Sequence, residues 1–373
     1  MNKQLLHTPE GVRDIYGKEY SKKLQVESSL HESLRLHGYE DIQTPTFEFF
    51  DVFSKEIGTT PSKELYKFFD KDGNTLVLRP DFTPSIARCA AKYFCDTHVP
   101  LRFSYMGNTF TNTSNLQGKL KEVTQMGAEL INDGSVEADA EIISLMIRAL
   151  SGTGLTRFQV SIGEVEYFKG LCEEAGLDEE TEMELRTCIS GKNYFAAQEL
   201  LDERGVAEPY RSSLLKVADL FGNMCSLTDA GKLAHNKRSH DALERLKKLY
   251  EVLKLYGVAE YVSFDLGMLS KYKYYTGVIF KAYTYGVGDA VVKGGRYDRL
   301  LHQFGKDAPA IGFCMVIDNI LEALSRQKVS QKLPEEARTL VYTERNYREK
   351  LAEAQELRRQ GIAVALICGK QEE

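Results

Sequence analysis

From residue 171 to residue 255 the chain reads almost without a break as helix, and on both sides of that stretch the periodicity is that of short strands. Tyr194-Phe195-Ala196-Ala197-Gln198-Glu199-Leu200-Leu201 typifies the helical spacing of apolar residues. Strands in series, helices at the margins and a helical run between them confine the chain to an α+β plan, a largely antiparallel sheet carrying a helical insertion. Residues 20–37 place Leu24, Leu30 and Leu34 among charged residues and predict an amphipathic helix stopped by Gly38. Residues 39–46 predict a strand, 65–78 a hairpin turning at Asp72-Gly73, and 101–110 and 123–131 two strands separated by a polar loop, 111–118. A helix over 136–150 and a strand over 158–162 complete the first half. After the insertion, strands are expected over 262–266, 278–285 and 290–292, and a last one over 311–316 leads into a helix through Leu324.

A polar hinge, 325–336, precedes a β-α-β pattern with strands near 339–342 and 363–367 and a helix over 347–359. One such unit is too small for a core of its own. The expected division is therefore a core over 1–325, with its insertion at about 171–257, and a short α/β segment over 336–373.

Composition narrows the function. With 43% hydrophobic and 27% charged residues the chain is an ordinary globular protein, and a net charge of −6 argues against a nucleic-acid binder, which needs clustered Lys and Arg to neutralise phosphates. The seven cysteines show no C-x-x-C pair, so neither a zinc site nor a redox motif is expected, and free thiols imply a reducing compartment. No signal peptide and no membrane span are read, so the expected location is cytoplasmic.

Three stretches could carry chemistry. Leu78-Arg79-Pro80-Asp81-Phe82-Thr83-Pro84 lies between a strand and a helix. Asp81 and Thr83 could hold an ammonium group there, or could simply cap the helix. In Gln125-Met126-Gly127-Ala128-Glu129 the odd positions share one strand face, which sets two polar side chains around a glycine gap, or forms a plain solvent-facing surface. Tyr274-Tyr275-Thr276-Gly277 offers two rings with polar tips, and Gly294-Gly295-Arg296-Tyr297-Asp298 offers a close backbone approach or an ordinary turn.

Taken with Thr8-Pro9-Glu10-Gly11-Val12-Arg13-Asp14 near the start and Gly312-Phe313-Cys314-Met315 near the end, these motifs resemble histidyl-tRNA synthetase in order and spacing over residues 5–325. The resemblance implies a class II aminoacyl-tRNA synthetase-like fold, a six- or seven-stranded antiparallel sheet flanked by helices, and a self-dimer formed through residues 38–48. It also implies a histidine pocket, in which Asp81 and Thr83 hold the ligand ammonium, Gln125 supports it, and Glu129 and Tyr275, beside Tyr274, hold the imidazole.

The departures point away from catalysis. Synthetases of this class grip ATP with arginines in motifs 2 and 3, and the histidine enzymes add one just before the paired tyrosines. The matching positions here hold Thr111, Asn319 (after Asp318) and Ser270, and Lys273 stands where an aspartate is usual. Losing one such cation costs ~10²–10³ in rate, and no bidentate substitute is visible. The chain is thus similar to the synthetase-like regulatory subunits of ATP phosphoribosyltransferase. That resemblance implies a non-catalytic, histidine-sensing role without cofactor or metal. It implies a short-form catalytic phosphoribosyltransferase as partner, in a hetero-octamer of four and four chains, and no tRNA binding.

Overall fold

The computed structural model describes residues 6–54, 60–113, 120–270, 274–331 and 333–369. The chain divides into two compact units, one of residues 1–15 and 26–330, the other of residues 16–25 and 331–373.

The larger unit is built on a nine-stranded mixed sheet. Its centre is six antiparallel strands, in the spatial order Leu101–Phe110, Glu122–Ile131, Ala310–Val316, Val292–Arg296, Val278–Thr284 and Phe158–Glu164. The two flanks depart from the antiparallel expectation: Glu40–Asp41 and Val262–Asp265 add on in parallel, and Phe221–Gly222 closes the far edge. Alternation along the strands separates two faces. Met126, Ala128 and Leu130 turn to the back, into the main core with the helix Val136–Gly152, whose residues are buried nearly all round. Gln125, Gly127 and Glu129 turn to the front, opposite Gly107, Tyr105 and Phe103.

Local chemistry explains most boundaries. Ser135 accepts from the Ala138 N–H and opens the Val136–Gly152 helix, and Asn236 does the same for Lys237–Leu255 through the Ser239 N–H. Gly38, at φ 78°, ends the first helix, Gly17–Leu36. Its buried stripe is Val26, Leu30 and Leu34, one residue every four, whereas the expected Leu24 is exposed. The strand expected over 39–46 shortens to Glu40–Asp41, because Pro45 cannot donate to a ladder and the chain leaves to pair Phe47–Phe49 with Thr75–Leu78. Thr75–Leu78 also forms the expected hairpin with Lys67–Phe69, whose loop holds Gly73 at φ 85°. The strand expected over 290–292 lies instead at Val292–Arg296, which puts Gly294-Gly295 inside a central strand rather than at a turn. A Cβ on Gly294 would stand 2.4 Å from the Phe280 ring, and one on Gly295 2.6 Å from the Tyr275 ring.

Helices run from Val165–Glu174 to Lys237–Leu255, broken only by short turns and the two-residue strand. In the smaller unit, Arg338–Tyr342 and Val364–Cys368 pair in parallel across the helix Tyr347–Arg359, as a parallel crossover requires. No described helix is long and apolar enough to cross a membrane.

Candidate functional site

On the front face of the sheet a row of glycines forms the floor of the candidate cleft. In one row Gly295 pairs with Gly312, Gly312 with Glu129, and Glu129 with Phe103. The missing side chains leave room for the Glu129 carboxylate to lie across its neighbour; a Cβ on Gly312 would fall 1.6 Å from Glu129 Oε2. Glu129 is 1% exposed and held from two sides. Thr83, at the start of the helix Thr83–Tyr93, donates its hydroxyl to Oε1 at 2.8 Å. Tyr297 donates its phenol to Oε2 at 2.5 Å. Tyr274 packs tilted against Tyr275, with ring centroids 4.4 Å apart and 35° between the planes, and stands edge-on to Tyr297 at 6.2 Å.

Among the residues singled out from the sequence, Thr83, Glu129, Tyr274 and Tyr275 therefore gather around one space. Asp81 lies close enough to act on the Glu129 charge, and its carboxylate accepts from the Phe82 N–H at 2.7 Å, but the helix Thr83–Tyr93 has Phe82 at its N-cap and no side-chain cap bond, so the helix-capping alternative is not realised. Gln125 sits apart. It is four residues along the strand from Glu129, ~13 Å away, and its buried Oε1 has no partner. Tyr297 is the residue that sequence reasoning passed over, although it lies inside the Gly-Gly-Arg-Tyr-Asp motif. Nothing in the sequence says that its phenol meets a carboxylate 168 positions away.

The arginine of the first motif is structural. Arg79 gives Nε to the Asn108 carbonyl and Nη1 to the Thr44 carbonyl, each at 2.9 Å, with its guanidinium 4.0 Å over the Phe82 ring. At the three departed positions the geometry is equally plain. The Thr111 N–H donates to the Lys121 carbonyl, Asn319 gives its amide to the Ala290 carbonyl at 3.4 Å, and the Ser270 carbonyl accepts from Arg186 at 3.3 Å. Arg186 is itself paired with Glu182. Lys271, Lys273 and part of the polar loop, 114–119, lie outside the described residues.

Burial dominates the electrostatics. Desolvation pushes the Glu129 carboxyl up to about 8; its two hydroxyl donors oppose the rise and the nearby Asp81 charge adds to it. The folded chain then holds a proton between about pH 4.5 and 8 that the unfolded chain releases. That stabilisation is whole below the unfolded value and is lost as pH rises through the folded one. Glu129→Gln keeps the shape and one acceptor. It is expected to flatten the decline of the urea midpoint between about pH 5 and 8.5, by on the order of a few kcal/mol at the alkaline end. An unchanged slope in the variant would show that Glu129 is ionised throughout.

What this cluster offers is a buried carboxyl set between two hydroxyls, beside a pair of packed phenols, above glycine: groups suited to a ring with both donor and acceptor nitrogens. The comparisons agree with the family that the motifs suggested. The histidyl-tRNA synthetase family model matches residues 11–320. The chain is 43% identical over 359 residues to the ATP phosphoribosyltransferase regulatory subunit of Acetivibrio thermocellus, covering 96% of this chain and 86% of that protein. It is 40% identical over 362 residues to the protein of the same name from Clostridium kluyveri, covering 96% and 93%. A solved structure described as an ATP phosphoribosyltransferase regulatory subunit/histidyl-tRNA synthetase from Bacillus halodurans superposes with a TM-score of 0.90 at 35% identity, covering 99% of this chain and 94% of that one. Histidyl-tRNA synthetase from Nostoc sp. PCC 7120 shares the fold, with a TM-score of 0.81 at 17% identity, over 98% of this chain and 86% of that one. The chain belongs to the histidyl-tRNA synthetase-like family of ATP phosphoribosyltransferase regulatory subunits.

Proposed function

We propose that the chain binds L-histidine in the front cleft and acts as the non-catalytic regulatory subunit of a short-form ATP phosphoribosyltransferase, serving the first step of histidine biosynthesis and its feedback control. The observation that carries this reading is the Thr83–Glu129–Tyr297 arrangement in a cleft whose three nucleotide-gripping arginine positions hold Thr111, Ser270 and Asn319. Glu129 and Tyr297 take the imidazole with Tyr275 packed beside them, and Asp81 takes the ammonium. An amino-acid pocket that lacks fixed cations for a triphosphate has little means of stabilising adenylate formation.

Control then follows from linkage. Histidine inhibits only by binding the inactive assembly more tightly than the active one, and phosphoribosyl substrates weaken histidine binding by the same free energy, ~1–3 kcal/mol. The exposed rings of Phe47, Phe49 and Phe69 support a covered surface in the assembly, in keeping with a self-dimer inside a hetero-octamer.

The test has two arms. Calorimetry is expected to show saturable L-histidine binding that weakens more than about tenfold in Glu129→Ala and Tyr297→Phe, and less in Tyr275→Phe. Co-purification with a short phosphoribosyltransferase is expected to switch on that enzyme and make it histidine-sensitive. Histidine-dependent ATP–pyrophosphate exchange at an enzyme-like rate would instead make the chain a working synthetase.

A further inference from the structure

A cavity lies on the back of the same sheet, about 380 Å³ in volume, between the Lys237–Leu255 helix and the strand ends at Glu164 and Arg296. Its place on the back face follows from register. Glu164 pairs with Val278, which lies in the main core, and Arg296 reaches Asp139 on the helix that covers that face. The wall is rich in charge, and nearly all of it is already spent. Arg296 is held by Asp139 and Asp298, Arg245 by Asp139, and Arg238 by Glu166 and Glu173. Asp241 pairs with Lys237.

Glu164 is the exception. It is 3% exposed and lines the cavity. Its Oε1 accepts from the Glu166 N–H at 3.3 Å, and its buried Oε2 has no partner. A buried carboxyl oxygen without a partner is costly, and in the ionised form what it lacks is a hydrogen-bond donor. The four cations on and beside the wall, Arg238, Arg245, Arg296 and Lys237, face five carboxylates besides Glu164, namely Asp139, Glu166, Glu173, Asp241 and Asp298, so the local charge balance leans towards taking a cation rather than an anion.

We infer that this cavity is a binding site for a small organic primary amine, whose ammonium group donates to Glu164 Oε2. Burial holds the Glu164 carboxyl up at about 8, so near neutral pH it is largely protonated until a cation approaches. An arriving ammonium favours its ionised form, and the carboxyl proton passes to the solvent. An alkylammonium is already charged at neutral pH, so the proton released belongs to Glu164. The assignment is independent of histidine binding, because Glu129 lies on the other face.

The probes are putrescine and n-butylamine, titrated into the whole chain near neutral pH by calorimetry in two buffers of different ionisation enthalpy. One saturable site is expected, with net proton release. Glu164→Gln should weaken the affinity about tenfold or more and abolish the proton release, whereas Glu129→Gln should leave both unchanged. Ala242→Met, which pushes a long side chain into the cavity from the Lys237–Leu255 helix, should also block binding, and it decides the matter if Glu164→Gln does not fold. The assignment fails if neither amine binds saturably at up to about 10 mM, a level that would reveal even a millimolar site. It fails equally if binding persists undiminished in both cavity variants.

Discussion

Gly312→Ala is expected to abolish histidine binding and to lower the unfolding free energy by about 1–3 kcal/mol, the usual cost of forcing an extra methyl into a packed site. The new Cβ would stand 1.6 Å from Glu129 Oε2 and 2.7 Å from the Ala128 carbonyl. The carboxylate can swing away, but only by leaving both Tyr297 and Thr83, whose hydroxyls then lose their buried acceptor. The Ala128 carbonyl belongs to the neighbouring strand and can move only with the ladder. Calorimetry with L-histidine and a urea titration read the two effects separately. Gly288→Ala serves as the control, since a Cβ there meets nothing within 4 Å. Near-normal histidine affinity in Gly312→Ala would mean that the Glu129 carboxylate is not the imidazole's partner.

Arg296→Met is expected to cost about 3–5 kcal/mol, because it breaks a buried ion pair and leaves part of a charge behind. Asp139 is completely buried. Arg296 donates to its Oδ1 from Nε at 2.8 Å and from Nη2 at 2.6 Å, and Arg245 donates to Oδ2 from Nε at 2.9 Å and from Nη2 at 2.5 Å. Burial pushes the Asp139 carboxyl up, and the two guanidiniums on it oppose that rise. Arg296 also ties down the Asp133 carbonyl, the Ser135 carbonyl and Asp298, so the loop that opens the Val136–Gly152 helix depends on it. Arg245→Met is the comparison. Its side chain is 28% exposed, water can replace part of what it gives, and its loss is expected to cost roughly 1 kcal/mol. Urea midpoints would rank the two, and an Arg245 variant as unstable as the Arg296 variant would contradict the assignment of the larger share to Arg296. Because Tyr297 follows Arg296 directly, a shift of this clamp is also expected to reach the cleft.

Much of the fold was legible where a local rule acts alone. The Leu101–Phe110 and Glu122–Ile131 strands, the Val136–Gly152 helix and the β-α-β tail fall within two residues of their expected limits, because periodicity and capping set them. The strand at 39–46 and the one at 290–292 were misread because edge pairing and glycine packing are decided by neighbours far away in the chain. Gly294-Gly295 shows the difficulty most clearly: the dipeptide that commonly marks a turn is here a flat patch in a central strand, kept bare by the rings of Phe280 and Tyr275. The cleft was legible as a set of motifs. That Gln125 stands away from the cluster, and that Tyr297 joins it, could not be read from spacing.

The order of residues by itself determined which stretches become strand or helix and which motifs, from Arg79-Pro80-Asp81 to Gly294-Gly295-Arg296-Tyr297-Asp298, mark the family. Only the tertiary structure decided that Thr83, Glu129 and Tyr297 converge, and that a second carboxyl, Glu164, is left unpartnered on the opposite face. The reason is physical. Periodicity is a property of neighbours a few residues apart, whereas a buried carboxyl takes its partners, and its charge state, from segments that meet only when the sheet has formed.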